Sequence, residues 1–127
     1  IEKQYVALVA GTSSAESGEI AFPLGPDRLR RPRQRVNWRH GKAALTRYRV
    51  LETALAHSRL ALTPVTGVRH QLRLHLALIG LPIIGCDLYA PTVVRQAGAR
   101  LMLHAQQLTF EHPVTRAPFV FQAPVDF

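Results

Sequence analysis

One segment of this chain changes its hydrophobic period, and that change limits the folds open to it. From Thr66 onward, apolar side chains fall at Leu72, Leu76 and Ile79, flanked by Leu74 and Leu78, which is the i, i+4, i+7 spacing of a helix. Thr66 is placed to cap its start, and Gly80 with Pro82 supplies the stop. Most of the remaining chain reads as strands. Tyr5 to Ala10 is apolar and β-prone and ends at Gly11, and Glu19 to Leu24 reads as a short strand closed by Pro23 and Pro26. In Ala44 to Glu52, Arg47 and Arg49 alternate with Thr46, Tyr48 and Val50, as in a half-buried strand with one basic face. Arg59 to Pro64 alternates in the same way and pairs with it across an Ala54 to Ser58 turn. Leu101 to Ala105, Gln107 to Phe110 and Phe119 to Ala123 read as further strands, with a turn at His112-Pro113. Strands outnumber helices, which predicts an α+β class with a mixed, mostly antiparallel sheet flanked by few helices.

At 127 residues the chain is expected to form one domain with a real core. Its only methionine is Met102 and it opens at Ile1 inside a strand pattern, so further N-terminal sequence is expected before it. Cys86 is the only cysteine, which excludes an internal disulfide and a cysteine-cluster metal site and fits a reducing, cytoplasmic compartment. No apolar run approaches the roughly 18 to 20 residues of a membrane span, so no membrane partner is expected.

The charge is concentrated. Between Arg28 and Arg49 stand nine basic residues, among them Arg31, Arg33, Arg35 and Lys42, and no acidic one, in a chain whose formal charge is +8. A block of this kind is costly to hold together without a polyanion, and arginine offers planar donors suited to phosphate and to stacking on bases. The competing reading is a solvated basic loop that keeps the protein soluble. Asn37, Trp38 and His40 lie within the block, and amide and aromatic groups of this kind read unstacked RNA bases. Pro26 to Lys42 shows no clear period and reads as an extended arm.

On the predicted helix, Arg69 and Arg73 fall four residues apart on one face, with Leu72 and Leu76 turned toward the core. A guanidinium this close to a burying surface needs a carboxylate or phosphate, since an unpaired desolvated charge is expensive. A surface helix with solvated arginines is the plainer alternative. His70 and His75 are five residues apart, on different helical faces, and no carboxylate accompanies them. No metal site is expected there, and buried or capping roles suit His70, His75 and His104 better.

Four motifs then stand in order along the chain: Lys3-Gln-Tyr5-Val-Ala-Leu-Val, Thr66-Gly-x-x-His-Gln-Leu-Arg73-Leu-His75, Gly80-Leu-Pro-Ile-Ile-Gly85 with Tyr89, and Arg100-Leu-Met-Leu-His104-Ala-x-x-Leu-x-Phe-x-His-Pro113. Together they resemble the RluA-type RNA pseudouridine synthases. Arg31-Pro-Arg-Gln-Arg-Val, Gly41-Lys-Ala-Ala-Leu-Thr-x-Tyr and the closing Phe121-Gln-Ala-Pro-Val-Asp-Phe127 are similar to that family's dual-specificity branch.

The resemblance implies the pseudouridine synthase fold and cofactor-free conversion of uridine to pseudouridine in ribosomal RNA, transfer RNA or both. It implies that the target base is flipped into a pocket where a catalytic aspartate acts, most simply as a nucleophile. By position, Arg73 matches the arginine that pairs with that aspartate, Tyr5 the tyrosine that stacks on the flipped base, and Leu103 the aliphatic residue that packs the pocket. Arg31, Arg33, Arg35, Lys42, Arg69, His70 and Gln71 are the expected RNA contacts. The family's aspartate lies in a His-Arg-Leu-Asp motif upstream of the Lys-x-Tyr strand. This chain has only Asp27, Asp87 and Asp126, none of them in that position. Residues 1–127 are therefore expected to be the C-terminal portion of a catalytic domain, inactive alone, with the N-terminal portion of the same domain as a partner and a monomer when complete. The usual Thr-Gly-Arg is here Thr66-Gly-Val68 with Arg69 following, the usual Gly-Asp is Gly85-Cys86 with Asp87 one place later, and Leu81 replaces a frequent histidine. These departures keep a second reading open, a catalytically degenerate RNA-binding module of the same fold.

Overall fold

Strand pairing organises the molecule. The computed structural model describes residues 2–111 and 118–122, with side chains over 3–105. The elements run β1 (Glu2–Ala10), β2 (Ser17–Ile20), β3 (Leu24–Pro26), β4 (Gln34–Val36), β5 (Thr46–Thr53), β6 (His57–Pro64), α1 (Gln71–Leu78), α2 (Thr92–Gln96), β7 (Leu103–Glu111) and β8 (Pro118–Gln122). Six strands form one sheet in the order β2-β5-β6-β1-β7-β8, and β3 pairs with β4 in a separate ribbon. Each of these pairings is antiparallel. The expected α+β class with a mostly antiparallel sheet is what the chain adopts. No helix among the described residues is long and apolar enough to cross a membrane.

The period-2 pattern sets which face is covered. Tyr5 lies opposite Leu62, Ala7 opposite both Leu60 and Leu103, and Tyr48 opposite Leu62, so these side chains share one face. Leu72 and Leu76 of α1 join Ala7, Val9, Leu60 and Leu62 in the main core cluster, as the helical spacing predicts. A fully buried leucine contributes about 2 kcal/mol relative to an exposed one, so this face accounts for much of what holds α1 on the sheet. A smaller cluster of Leu24, Ala44 and Leu74, with Val36, Val68 and Tyr89 against it, fixes the base of the ribbon to the other side of the same helix.

Several boundaries differ from the sequence reading. The segment expected as an extended arm from Pro26 to Lys42 includes the tip and the second strand of the β3–β4 ribbon. Its tip is tied by Asp27 N–H to Arg33 O at 2.9 Å, Arg33 N–H to Arg30 O at 2.9 Å and Leu29 N–H to the Asp27 carboxylate at 3.2 Å. The expected strand from Glu19 to Leu24 ends at Ile20, and Leu24 starts the ribbon instead. The two short strands expected from Leu101 are one, β7, whose pairing with β1 slips a residue between Ala105 and Gln107. The His112-Pro113 turn lies outside the described residues.

Helix α1 ends as expected. Leu81 N–H reaches Leu76 O at 2.9 Å and Gly80 N–H reaches Ala77 O at 3.1 Å, with Gly80 at φ +79, the hydrogen-bond pair of a Schellman motif. Five residues on, Gly85 sits at φ +82, and a Cβ built there would lie 1.9 Å from Arg100 O. A Gly85→Ala change meets both a disfavoured dihedral and a backbone clash. It is expected to lower unfolding free energy by about 2 kcal/mol or more, as read by urea denaturation; a loss within about 0.5 kcal/mol would contradict this packing.

Candidate active site

The start of α1 is built on a buried polar network rather than on a cap by Thr66. The position before the helix is His70, in the left-handed region at φ 59 and ψ 17, with no side-chain cap hydrogen bond. The Thr66 hydroxyl instead donates to Gln71 Oε1 at 2.6 Å and accepts from Leu45 N–H at 2.9 Å. Gln71 Oε1 also accepts from Val68 N–H at 3.1 Å, while Gln71 Nε2 donates to Leu45 O at 2.9 Å and Thr46 Oγ1 at 3.0 Å. Both donors and both acceptor positions of this amide are filled within the protein. Gln71 is only 3% exposed. It is an expected RNA contact, and its burial and full satisfaction also make it the tie between helix and sheet.

His75 continues the network. Its Nε2 faces Phe22 O at 2.9 Å, and a carbonyl only accepts, so the proton sits on Nε2 and Nδ1 accepts from the Thr46 hydroxyl at 2.9 Å. Burial pushes the His75 pKa below the usual histidine value, partly offset by its bond to Phe22. The ring is fully buried, as the sequence reading anticipated for a structural histidine.

A cavity of about 420 Å³ opens between α1 and the sheet, and Tyr5, Arg73 and Leu103 all line it. The strand register explains the meeting. Tyr5 lies on β1 opposite Leu62 and Ala105, Leu103 lies two residues away on β7, and α1, which packs on β5 and β6, supplies the facing wall. Thus three residues drawn from three separate motifs share one wall system. His70 and Gln71 also border the cavity.

Arg73 is a charge held there by several contacts. Its side chain is 17% exposed, its Nε donates to Cys86 Sγ at 3.4 Å, and its Nη2 donates to Asp87 Oδ1 at 2.5 Å. Burial alone would lower its pKa, but the Cys86 sulfur and the Asp87 carboxylate more than offset it, and the net shift is upward. The carboxylate that the sequence argument demanded is thus present within the chain. It is Asp87, which is itself largely exposed. These contacts use only part of the five-donor fork, so a second carboxylate can still be held from the cavity side.

Tyr89 has a role that the sequence reading did not assign. Its hydroxyl accepts from Gln34 N–H at 2.8 Å and donates to His70 Nδ1 at 2.7 Å. The guanidinium carbons of Arg33 and Arg73 lie 5.4 and 5.6 Å from its ring centroid. The signal was available in the sequence, since Tyr89 closes the third motif, but nothing local to that motif points to Gln34 or Arg33. The His70 pKa is lowered, first by burial and then by the charges of Arg73 and Arg69, which favours the neutral ring this hydrogen bond requires.

The remaining basic residues separate into two groups. Arg31, Arg35 and Lys42 are exposed on or beside the ribbon, and Trp38 stands 74% exposed with its edge toward Phe22 at 5.9 Å. Arg69 is exposed beside the helix entry. It precedes the first residue of α1, so the expected helical face shared with Arg73 is not formed. Arg33 is half-buried over Tyr89.

The chain is 45% identical over 127 residues to the dual-specificity RNA pseudouridine synthase RluA of Pasteurella multocida and 43% identical to that of Escherichia coli strain K12. Each comparison covers 99% of this chain and 58% of the relative, so the chain spans little more than half the length of these proteins. The solved structure of human RNA pseudouridylate synthase domain containing 1 superposes with a TM-score of 0.86 at 28% identity, over 97% of this chain and 54% of the human one. Human RNA pseudouridylate synthase domain containing 4 shares the fold at a TM-score of 0.75 and 23% identity, over 98% of this chain and 57% of that one. The sequence pattern described as RNA pseudouridylate synthase matches residues 1–78, a stretch that includes the strand of Tyr5 and the helix of Arg73, and the chain belongs to that family.

Proposed function

We propose that residues 1–127 form the C-terminal portion of a pseudouridine synthase catalytic domain, and that the complete protein isomerises uridine to pseudouridine in RNA. The observation that carries this reading is the convergence of Tyr5, Arg73 and Leu103 on one cavity. The nucleophilic aspartate comes from sequence upstream of Ile1. In the reaction the bond from C1′ to N1 breaks, the base turns, and C5 bonds to C1′; the C5 proton leaves and N1 takes one up. Arg73 holds the aspartate ionised, Tyr5 stacks on the flipped base, and Leu103 packs the pocket around the carboxylate.

The ribbon supplies phosphate contacts through Arg31, Arg33, Arg35 and Lys42, with Arg69 exposed beside the helix entry and His70 and Gln71 on the cavity wall. The substrate is ribosomal RNA, transfer RNA or both, which the dual-specificity relatives support. The complete protein acts as a cytoplasmic monomer. The reading is tested by tritium release from RNA labelled at C5 of uridine, using the full-length protein. Release from either RNA class is expected. Salt-sensitive RNA binding with no release from either would instead leave a degenerate binding module.

A further inference from the structure

The arginine-rich ribbon and the catalytic helix are 35 or more residues apart in sequence, yet one side chain outside both touches each of them. Tyr89 receives the backbone N–H of Gln34 from the ribbon, bonds the His70 ring at the helix entry, and lies under the guanidinium groups of Arg33 and Arg73. Its surroundings leave it little freedom, because it also packs against the small core of Leu24, Ala44 and Leu74. Both guanidinium groups draw on the same ring, Arg73 being paired with Asp87 as well, and Arg33 lies on the ribbon where phosphate is expected. A phosphate paired with Arg33 changes how Arg33 meets the Tyr89 ring, and so the ring that Arg73 faces.

We propose that Tyr89 is a positioning residue that couples the ribbon to Arg73, so that RNA held at Arg33 sets the Arg73 guanidinium against the pocket. This rests on the reading of the chain as part of an RNA-modifying enzyme, and it adds a consequence that reading lacks. RNA engagement by the ribbon and the setting of Arg73 become one event, transmitted through a single ring and two hydrogen bonds.

The test uses the full-length protein, an RNA stem-loop containing uridine, and the Arg73 Nε–H resonance followed by NMR. That resonance reports on Arg73 whether or not the protein turns over. Adding RNA is expected to shift it in the wild type, and the RNA-induced change is expected to fall by more than half in both Tyr89→Leu and Arg33→Gln. A change of wild-type size in either variant, under saturating RNA, would overturn the coupling. Should Tyr89→Leu fail to fold, Tyr89→Phe keeps the ring and removes both hydrogen bonds, and the same criterion applies to it.

Single-turnover tritium release at saturating enzyme is independent of the folded fraction. For Tyr89→Leu it is expected to slow by about tenfold, and Tyr89→Leu combined with Arg33→Gln is expected to be no slower than Tyr89→Leu alone. Losses that multiply would place the two residues on separate paths and overturn the proposal. A wild type that releases no tritium while its Arg73 resonance still responds through Tyr89 would refute the enzymatic reading and leave the coupling standing.

Discussion

Replacing Arg73 with lysine in the full-length protein is expected to reduce turnover by about 100-fold, the scale of losing one preorganised electrostatic contact, while RNA affinity changes by less than about threefold. Lysine keeps the positive charge but presents one ammonium in place of a planar fork. Arg73 uses its Nε toward Cys86 and one Nη toward Asp87 while still facing the cavity, and no single ammonium can hold all three directions. Arg73→Ala is expected to lose more, since the carboxylate it stabilises would then sit uncompensated beside a partly buried wall. The affinity is expected to survive because the phosphate contacts proposed above are Arg31, Arg35 and Lys42, which are exposed and apart from the cavity. Filter binding at two salt concentrations, set beside single-turnover tritium release, separates the two effects. Turnover at the wild-type rate in Arg73→Lys would remove this residue from the catalytic set.

Gln71→Leu is expected to destabilise the full-length protein by about 2 to 3 kcal/mol, because one part-buried N–H is left unpaired and three further groups each lose a contact. The substitution roughly conserves volume, so the loss reports hydrogen bonding rather than a cavity. Val68 N–H is left without a partner, Leu45 O keeps only the bond from Val65 N–H, and the Thr66 and Thr46 hydroxyls lose a contact each. Urea denaturation measures the loss, and a value under about 1 kcal/mol would show that the helix is held by its leucines alone.

The same network carries a pH dependence. Burial holds the folded-state pKa of His75 below the unfolded value, and that of His70 is lowered in the same direction. Between the folded value and the unfolded value of about 6.5, the unfolded chain binds more protons. The stability contributed by these neutral rings is therefore full above that pH and is lost as pH falls toward the folded pKa. The urea midpoint is expected to be lower at pH 5.5 than at pH 7.5, and a midpoint that rises on acidification would contradict the assignment.

What could be read from the sequence was what depends on local period. Strands β1, β5 and β6 and helix α1 each carry a repeating apolar pattern over at least one full turn or several alternations, and each formed within a few residues of its expected bounds. The ribbon carries no such pattern. Its order comes from Leu24 and Val36 in a small core and from the Tyr89 hydroxyl on Gln34, 55 residues distant in sequence. The structural role of Gln71 was hidden for a similar reason: the carbonyl and hydroxyls that enclose its amide come from Leu45, Thr46 and Thr66, and those of Leu45 and Thr46 are 25 or more residues away in sequence. Thr66 has the right chemistry for a cap, but Gln71 and Leu45 engage its hydroxyl first. Helix α2 escaped because five residues with two adjacent valines carry no period. The resemblance to a family supplied what period could not, namely which three of the pocket's residues belong together, and the register of β1 against β7 accounts for their meeting.

As proposed above, this chain holds the arginine, tyrosine and aliphatic wall of an active site whose aspartate lies upstream. The most direct measurement is tritium release from C5-labelled RNA by the full-length protein and by residues 1–127 side by side, with circular dichroism confirming that the shorter chain is folded. Release by the full-length protein and none by the shorter chain is the predicted result; release by residues 1–127 alone would contradict it.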